Sequence, residues 1–283
     1  MSSSNEEFIK TVIAPPKDFT VVLGVIHGAH VDGWYFQSFA DILLKKRPPG
    51  FNFDPDTPVV MVRSGPLLSQ ARGHLIGNFL EASTADALVM IDADQAFDYE
   101  TFWNLVACYK AMKETYPDVG IVAGVTWMTG HPKLAVPKPN IWHIGKHPTH
   151  FLHADTYPAD AIMEVGSVGC SNMVVGRDIC DVLVNRSDHQ VNPFHHLPAG
   201  IDWNAMAADF AGWDDPTKIA ETLRDTIYDA DQLGEDMSFC TRVRAAGFRI
   251  LVNTNLEFAH SKNYLLDGDD YRAALAKDQE PRT

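Results

Sequence analysis

The chain lacks three features that would settle its class at once. It has no cysteine pair at Cys-x-x-Cys spacing: Cys108, Cys170, Cys180 and Cys240 are scattered through 283 residues. That argues against a zinc ribbon or a redox dithiol and leaves reduced, mostly buried thiols as the expectation. It has no apolar run near the roughly 18 to 20 residues that a membrane helix needs. It has no basic excess, since 23 Lys and Arg face 37 Asp and Glu for a formal net charge of −14. This balance disfavours non-specific binding to nucleic acid or an anionic membrane, while a local basic groove remains compatible with it. An acidic protein that takes an anionic substrate needs a metal or a few placed arginines to do so. Internal repeats and low-complexity blocks are also absent, and the polar, acidic stretch Met1–Phe19 has neither the basic start nor the apolar core of a signal peptide. A cytoplasmic protein is expected.

What is present is an ordinary globular composition, 46% hydrophobic and 21% charged, with length enough for a sizeable core. Residues 1–17 read as a loose arm ending near Pro15-Pro16. Four β-rich runs follow, Phe19–Ile26, "PVVMVRS", "DALVMI" and "VGIVAGVTW", separated by segments of helical periodicity. The helix after "PVVMVRS" is expected to open at Ser64-Gly65-Pro66, and Asp98 is expected to cap the one after it. "RPPGFNFDPDT" reads as a break. This rhythm predicts an α/β fold with a mainly parallel central sheet flanked by helices. The loops after Ile26, Arg63 and Asp92 should then converge on one crevice at the carboxyl ends of the strands. The second half is less regular: a long loop or small hairpin over 128–151, two β runs and a helix near Arg177, an aromatic-rich irregular stretch over 185–216, a helix from Glu235 stopped by Gly247, and a late strand "RILVNT". One domain, 18–265, is expected, with a nucleotide-binding half (18–127), an acceptor-side half (128–265) and a tail from 266.

One stretch carries chemistry. In "ALVMIDADQAFD" an apolar run ends abruptly in Asp92-Ala93-Asp94. Two carboxylates so close repel each other, and burying either unpaired is costly. A turn there lets both lean toward one hard cation such as Mg²⁺ or Mn²⁺, whose natural partner is a diphosphate. The plainer explanation is a helix cap or a solvated turn. Two histidines, His27 and His30, follow the first strand, but no third ligand in spacing supports a zinc site.

Several pieces in order resemble nucleotide-sugar glycosyltransferases of the GT-A fold, especially family 2-like enzymes. These are "SQARGHLIGNFLEASTADALVMIDADQAFD", "VGCSNMVVGRDICDVL", "GEDMSFCTRVRAAGFRI" and "FAHS", together spanning residues 19–262. The pattern departs at Gly73, where the family has asparagine, and at Ser261 after His260. The resemblance implies a GT-A-like fold with Mn²⁺ or Mg²⁺ as cofactor. It implies Asp94 as a metal ligand, Asp92 on the donor's ribose or on the metal through water, and His260 completing the metal site or touching the diphosphate. It places Arg72 by the nucleotide, where its fork suits a carboxylate or a phosphate. His27 and Arg63 would border the nucleotide, and Gly169 would lie under the donor sugar. Glu235-Asp236 opens a helix, where carboxylates also serve as caps; the resemblance favours Asp236 as general base, with Glu235 positioning the acceptor.

The implied activity is transfer of a sugar from a nucleotide-diphosphate donor, a UDP-sugar first, to a hydroxyl with inversion. Resembling domains occur in bacteria and in phages, where some modify hydroxymethylated DNA bases. The acceptor is thus a glycan, a small molecule or DNA, and a phage protein would work in its host's cytoplasm. Two rival classes stay open. A nucleotidyltransferase usually carries a basic, glycine-rich loop after its first strand, and "VIHGAHVDG" has no lysine or arginine. A non-catalytic binding module would not need the paired carboxylates. Lys133, Trp127, Trp142, Trp203 and Trp213 fall in irregular segments and suggest no particular role.

Overall fold

Alternation along the central strands explains why helices cover both faces of the sheet. Val22, Leu88 and Met90 point into one core, while Val21, Leu23, Val89 and Ile91 point into the other. A strand buried on both faces reads as a continuous apolar run, as Ala87–Ile91 does. The computed structural model describes residues 17–29, 31–128, 137–185, 192–201, 203–211, 215–229, 231–261 and 265–266. The expected arm up to residue 16, His30, Lys133, Trp213 and the tail from 267 lie outside the described residues.

The chain runs through β1 (Phe19–His27), α1 (Gly33–Leu44), β2 (Phe51–Phe53), β3 (Val59–Arg63), α2 (Leu68–Ala82), β4 (Ala87–Asp92), β5 (Gln95–Ala96), α3 (Tyr99–Thr115) and β6 (Val119–Met128). It continues with β7 (Lys138–Pro139), β8 (Ile141–Ile144), β9 (Phe151–His153), β10 (Ile162–Glu164), β11 (Ser167–Val168), β12 (Asn172–Gly176) and α4 (Arg177–Asn185). The last elements are α5 (Trp203–Phe210), α6 (Pro216–Asp229), α7 (Glu235–Ala245), β13 (Arg249–Ser261) and β14 (Leu265–Leu266).

The main sheet has the order β10-β13-β6-β12-β4-β1-β2, with β3 extending the β2 edge of β1. β1 runs parallel to β2, β3 and β4, and β6 runs parallel to β13. β12 enters antiparallel between β4 and β6. Strands of the second half therefore stand between and beside those of the first, and the two halves share one sheet. Tyr35, Ile42, Phe102 and Leu105 of α1 and α3 fill one face; Leu75, Ile76, Phe79, Ile179 and Phe239 of α2, α4 and α7 fill the other. Each such side chain contributes about 1.5–3 kcal/mol on burial. The smaller β11-β8-β9 sheet supplies the hairpin expected in the second half. All four cysteines are unpaired, and Cys170, Cys180 and Cys240 are buried. No helix among the described residues is long and apolar enough to cross a membrane.

Four local expectations change. Ser64-Gly65-Pro66 does not start α2, because the Ser64 N–H continues the strand ladder to His27 O (2.8 Å) and its hydroxyl turns to Gly65 O (3.0 Å). The helix begins at Leu68 with no side-chain cap. The "RPPGFNFDPDT" break contains the short strand β2 beside the start of β1. The stretch 185–216 is not irregular throughout, since it holds α5 and the start of α6. Asp215 Oδ1 accepts from Thr217 N (2.9 Å) and Lys218 N (3.3 Å) ahead of Pro216 at the first helical position. Finally, "RILVNT" and "LEFAHS" form one strand, β13, with a register shift between Val252 and Glu257 where its pairing with β6 is interrupted. As expected, Asp98 caps α3 through Thr101 N (2.6 Å), and Gly247 at φ 90° ends α7.

The register shift has a partner in Gly124. A Cβ there would lie 2.6 Å from Leu256 O and 2.6 Å from the Phe258 ring. Gly124→Val should therefore cost about 1–3 kcal/mol by overpacking. Chemical denaturation should show a lower midpoint with an unchanged slope; an unchanged midpoint would mean that the strand pair has slack.

Candidate functional site

The carboxyl ends of β1 and β4 open into a cleft of about 640 Å³, bordered by His27, Val31, Asp32, Ser64, Asp92 and Asp94. Its described lining contains three carboxylates and neither lysine nor arginine. Asp32 is held from two sides: its Oδ1 caps α1 by accepting from Trp34 N (2.8 Å), and its Oδ2 accepts from the Ser261 hydroxyl at the end of β13 (2.7 Å). The Asp32 N–H donates to Ala93 O (3.3 Å), so the turn after β1 and the Asp-x-Asp turn are tied together.

Beneath the cleft lies Arg72 of α2, only 2% exposed. Its Nη2 donates to Asp92 Oδ2 (3.0 Å), and its Nη1 donates to Glu235 Oε1 (3.0 Å) and to Asp236 Oδ1. One guanidinium thus joins the tip of β4 to the first turn of α7. The carboxylates remain 21–24% exposed by side chain while the arginine is 3% exposed. The cation is therefore the more deeply buried partner in each pair. Burial pushes the Asp92 carboxyl above its ordinary pKa; Arg72 pulls it back down, and neighbouring Asp94 pushes it further up. Burial acts against the charge on Arg72, yet Asp92 and Glu235 hold its pKa above the ordinary value.

At the outer lip, Asp94 Oδ2 lies 3.0 Å from His260 Nε2. The other ring nitrogen, Nδ1, is 3.0 Å from Trp127 O. The strand pairing His260↔Gln95 and the Ser261 N–H bond to Asp94 O (2.8 Å) fix β13 against this turn. With Nδ1 held by Trp127 O, Nε2 is the ring nitrogen that faces Asp94, and a metal-binding imidazole is commonly held through its other nitrogen in this way. The 3.0 Å contact between His260 and Asp94 is a direct hydrogen-bond or ion-pair distance. Among the described residues no group of three or more His, Cys, Asp or Glu is placed to hold a metal. Asp94 and His260 could supply two donors to an ion whose other ligands would be water or substrate.

Comparison with known proteins assigns no family: no family profile and no curated sequence matches the chain. Similar solved structures include A197 from STIV, at 13% identity and TM-score 0.46 over 88% of this chain and 91% of that one. GalNAc-T7 with UDP, GalNAc and Mn²⁺ matches at 11% identity and TM-score 0.46, over 87% of this chain and 44% of that one. CMP:2-keto-3-deoxy-manno-octonic acid synthetase complexed with CTP matches at 11% identity and TM-score 0.37, over 92% and 99%. These values are too low to carry a function, so the reading below rests on the site's own chemistry.

The fold brings Asp92, Asp94, Arg72, Glu235, Asp236, His260 and His27 to one end of the sheet. Arg63 stands at the same end, paired with His27 in register, and its exposed side chain borders a second hollow of about 160 Å³ with Gly65, Leu67 and His74. Gly169 is buried, and a Cβ on it would collide with the Asn140 side chain. The close approach that the absent side chain allows is made there by Asn140. Of the two partners expected for the Arg72 fork, carboxylate or phosphate, the fold supplies carboxylates. Asp32 and Ser261 were missed. The signal for Asp32 was its place before Gly33-Trp34, an N-cap position.

Arg72→Met should leave three carboxylates without their cation and destabilise the protein by about 3–5 kcal/mol at neutral pH. The Asp92 pKa, already raised, rises further without the arginine. Stability of the variant should therefore increase as pH falls through that raised value, because the folded state then binds the proton more tightly than the unfolded chain. Urea midpoints of both proteins at pH 7 and pH 5 test this. A deficit that does not shrink at pH 5 would rule out carboxylate repulsion as its cause.

Proposed function

We propose that this protein is a metal-dependent glycosyltransferase that takes a sugar from a nucleotide-diphosphate donor, a UDP-sugar first, and transfers it to a hydroxyl with inversion. The observation that carries this reading is the single guanidinium joining Asp92 of the cleft to Glu235 and Asp236. It puts a pair of partly exposed carboxylates beside an acidic cleft that has no lysine or arginine in its described lining. Among the described lining residues an anionic diphosphate would find no lysine or arginine, so a bound cation would mediate its binding.

Asp94 and His260 would hold Mn²⁺ or Mg²⁺, which when bound offsets the negative charge that develops on a leaving diphosphate. Asp92, fixed by Arg72, would seat the nucleotide's ribose. His27 and Asp32 border the same cleft and would bound the nucleoside. Asp236 would take the proton of the acceptor hydroxyl as that oxygen attacks the anomeric carbon, and Glu235 would orient the acceptor. Arg72 aims both carboxylates and keeps them from turning toward the cation. A base on the attacking side is what direct displacement requires, and that favours inversion. The acceptor classes are a glycan, a small molecule and a hydroxymethylated DNA base, and product analysis chooses among them once the donor is known.

Incubating the protein with Mn²⁺ and a panel of nucleotide-sugars, followed by mass spectrometry, should show slow hydrolysis of one donor. No hydrolysis and no binding of any donor would sink the assignment. Asp94→Ala should abolish Mn²⁺-dependent binding of UDP in calorimetry while the fold stays intact; retained binding would place the metal elsewhere. Asp236→Asn should lower kcat by about 10²–10⁴-fold with little change in donor KM. A normal rate would put the base elsewhere.

A further inference from the structure

Position 73 breaks the pattern the sequence otherwise resembles, and the fold shows what occupies its place. A Cβ on Gly73 would lie 2.5 Å from Asn192 Oδ1, 2.6 Å from its Cγ and 2.8 Å from its Nδ2. The carboxamide of Asn192 thus fills the space that a side chain on α2 would take. It is not a loose contact. Asn192 Nδ2 donates to Ser69 O of α2 (2.9 Å), and Asn192 Oδ1 accepts from Phe194 N (2.9 Å).

From that anchor the segment 192–197 crosses to α7. The Phe194 ring stacks on Phe239 with centroids 4.3 Å apart and planes 11° apart. Arg242 Nη1 donates to Pro193 O (3.0 Å) and His195 O (2.6 Å). The Leu197 N–H donates to the Ser238 hydroxyl (2.9 Å), and His196 Nδ1 meets Leu233 O (2.6 Å) just before the Gly234 cap of α7. One end of this strap is therefore locked on α2 one residue from Arg72, and the other is fastened along the first two turns of α7, where Glu235 and Asp236 sit.

We infer that Gly73 and Asn192 are a positioning pair: the Asn192 carboxamide, seated in the gap at Gly73, sets the spacing between Arg72 and the Glu235–Asp236 carboxylates. The physical reason is close packing. A methyl group at 73 lifts the strap, the strap carries α7 with it through Phe194 and Arg242, and the guanidinium loses its reach to the two carboxylates. Hydrogen bonds of this kind weaken steeply once geometry is lost. The effect on turnover rests on the glycosyltransferase reading; the effect on the ion-pair cluster does not.

The test uses the full chain with Gly73→Ala, Asn192→Ala and the exchanged pair Gly73→Asn/Asn192→Gly. ¹⁵N spectra report whether the Arg72 guanidinium is held, because its Nη signals sharpen only when rotation is blocked by its partners. Gly73→Ala and Asn192→Ala should broaden or shift those signals. They should also lower kcat by about 10-fold or more, with donor KM within twofold, since Asp94 and His260 lie on other elements. The exchanged pair, which returns a carboxamide to the same gap from the helix side, should recover both readouts. If Gly73→Ala does not fold, Asn192→Ala, which adds no atoms, decides alone. Arg72 signals unchanged in Asn192→Ala, or no recovery in a folded exchanged pair, would overturn the proposal. If the wild-type protein turns over no nucleotide-sugar, the glycosyltransferase reading fails and the Arg72 signals still decide this one.

Discussion

Everything at the strand ends depends on one buried cation. Arg72 is almost fully removed from water and faces Asp92, Glu235 and Asp236 at once. An isolated guanidinium would not tolerate that burial, and three neighbouring carboxylates would not tolerate each other without it. The arrangement is stable only as a unit. It also couples two distant parts of the chain, because the residues concerned are 20 and more than 160 positions apart. Of the three carboxylates, Asp92 borders the cleft itself, and Glu235 and Asp236 are tied to it through the arginine.

The second determinant is β13. It runs beside β6, is interrupted opposite Gly124, and resumes in time to bring His260 against the Asp94 turn. An uninterrupted ladder would keep the alternation of side chains in phase along the whole strand; the shift between Val252 and Glu257 changes that phase before His260. Ser261 then reaches across to Asp32, so the lip of the cleft is closed by contacts from β1, β4 and β13 together. The irregular-looking second half thus supplies half of the site through regular elements.

Much of the fold was legible because its signals are local. The apolar runs of β1, β4 and β6, the cap at Asp98 and the stop at Gly247 are each decided within a few residues. The miss at Ser64 has a tertiary cause: its N–H was already committed to His27 O, and no local rule announces that. The miss at α6 was different, since Asp215-Pro216 is a local signal that the surrounding aromatic-rich sequence obscured. Among site residues, Asp92, Asp94, Arg72, Glu235, Asp236 and His260 were named from motif order. Arg63 was read from its strand end and Gly169 from the resemblance; the fold sets Arg63 beside a second hollow and Gly169 against Asn140.

By itself the sequence determined the alternation of strands and helices and the positions of its charged tips, because burial periodicity and capping are properties of neighbouring residues. Only the tertiary structure decided which charges meet. That Arg72 serves three carboxylates, that His260 stands 3.0 Å from Asp94, and that Asn192 fills the gap at Gly73 follow from packing elements far apart in the chain. Electrostatic and steric partners are set by distance in space, and no spacing along the sequence encodes that distance.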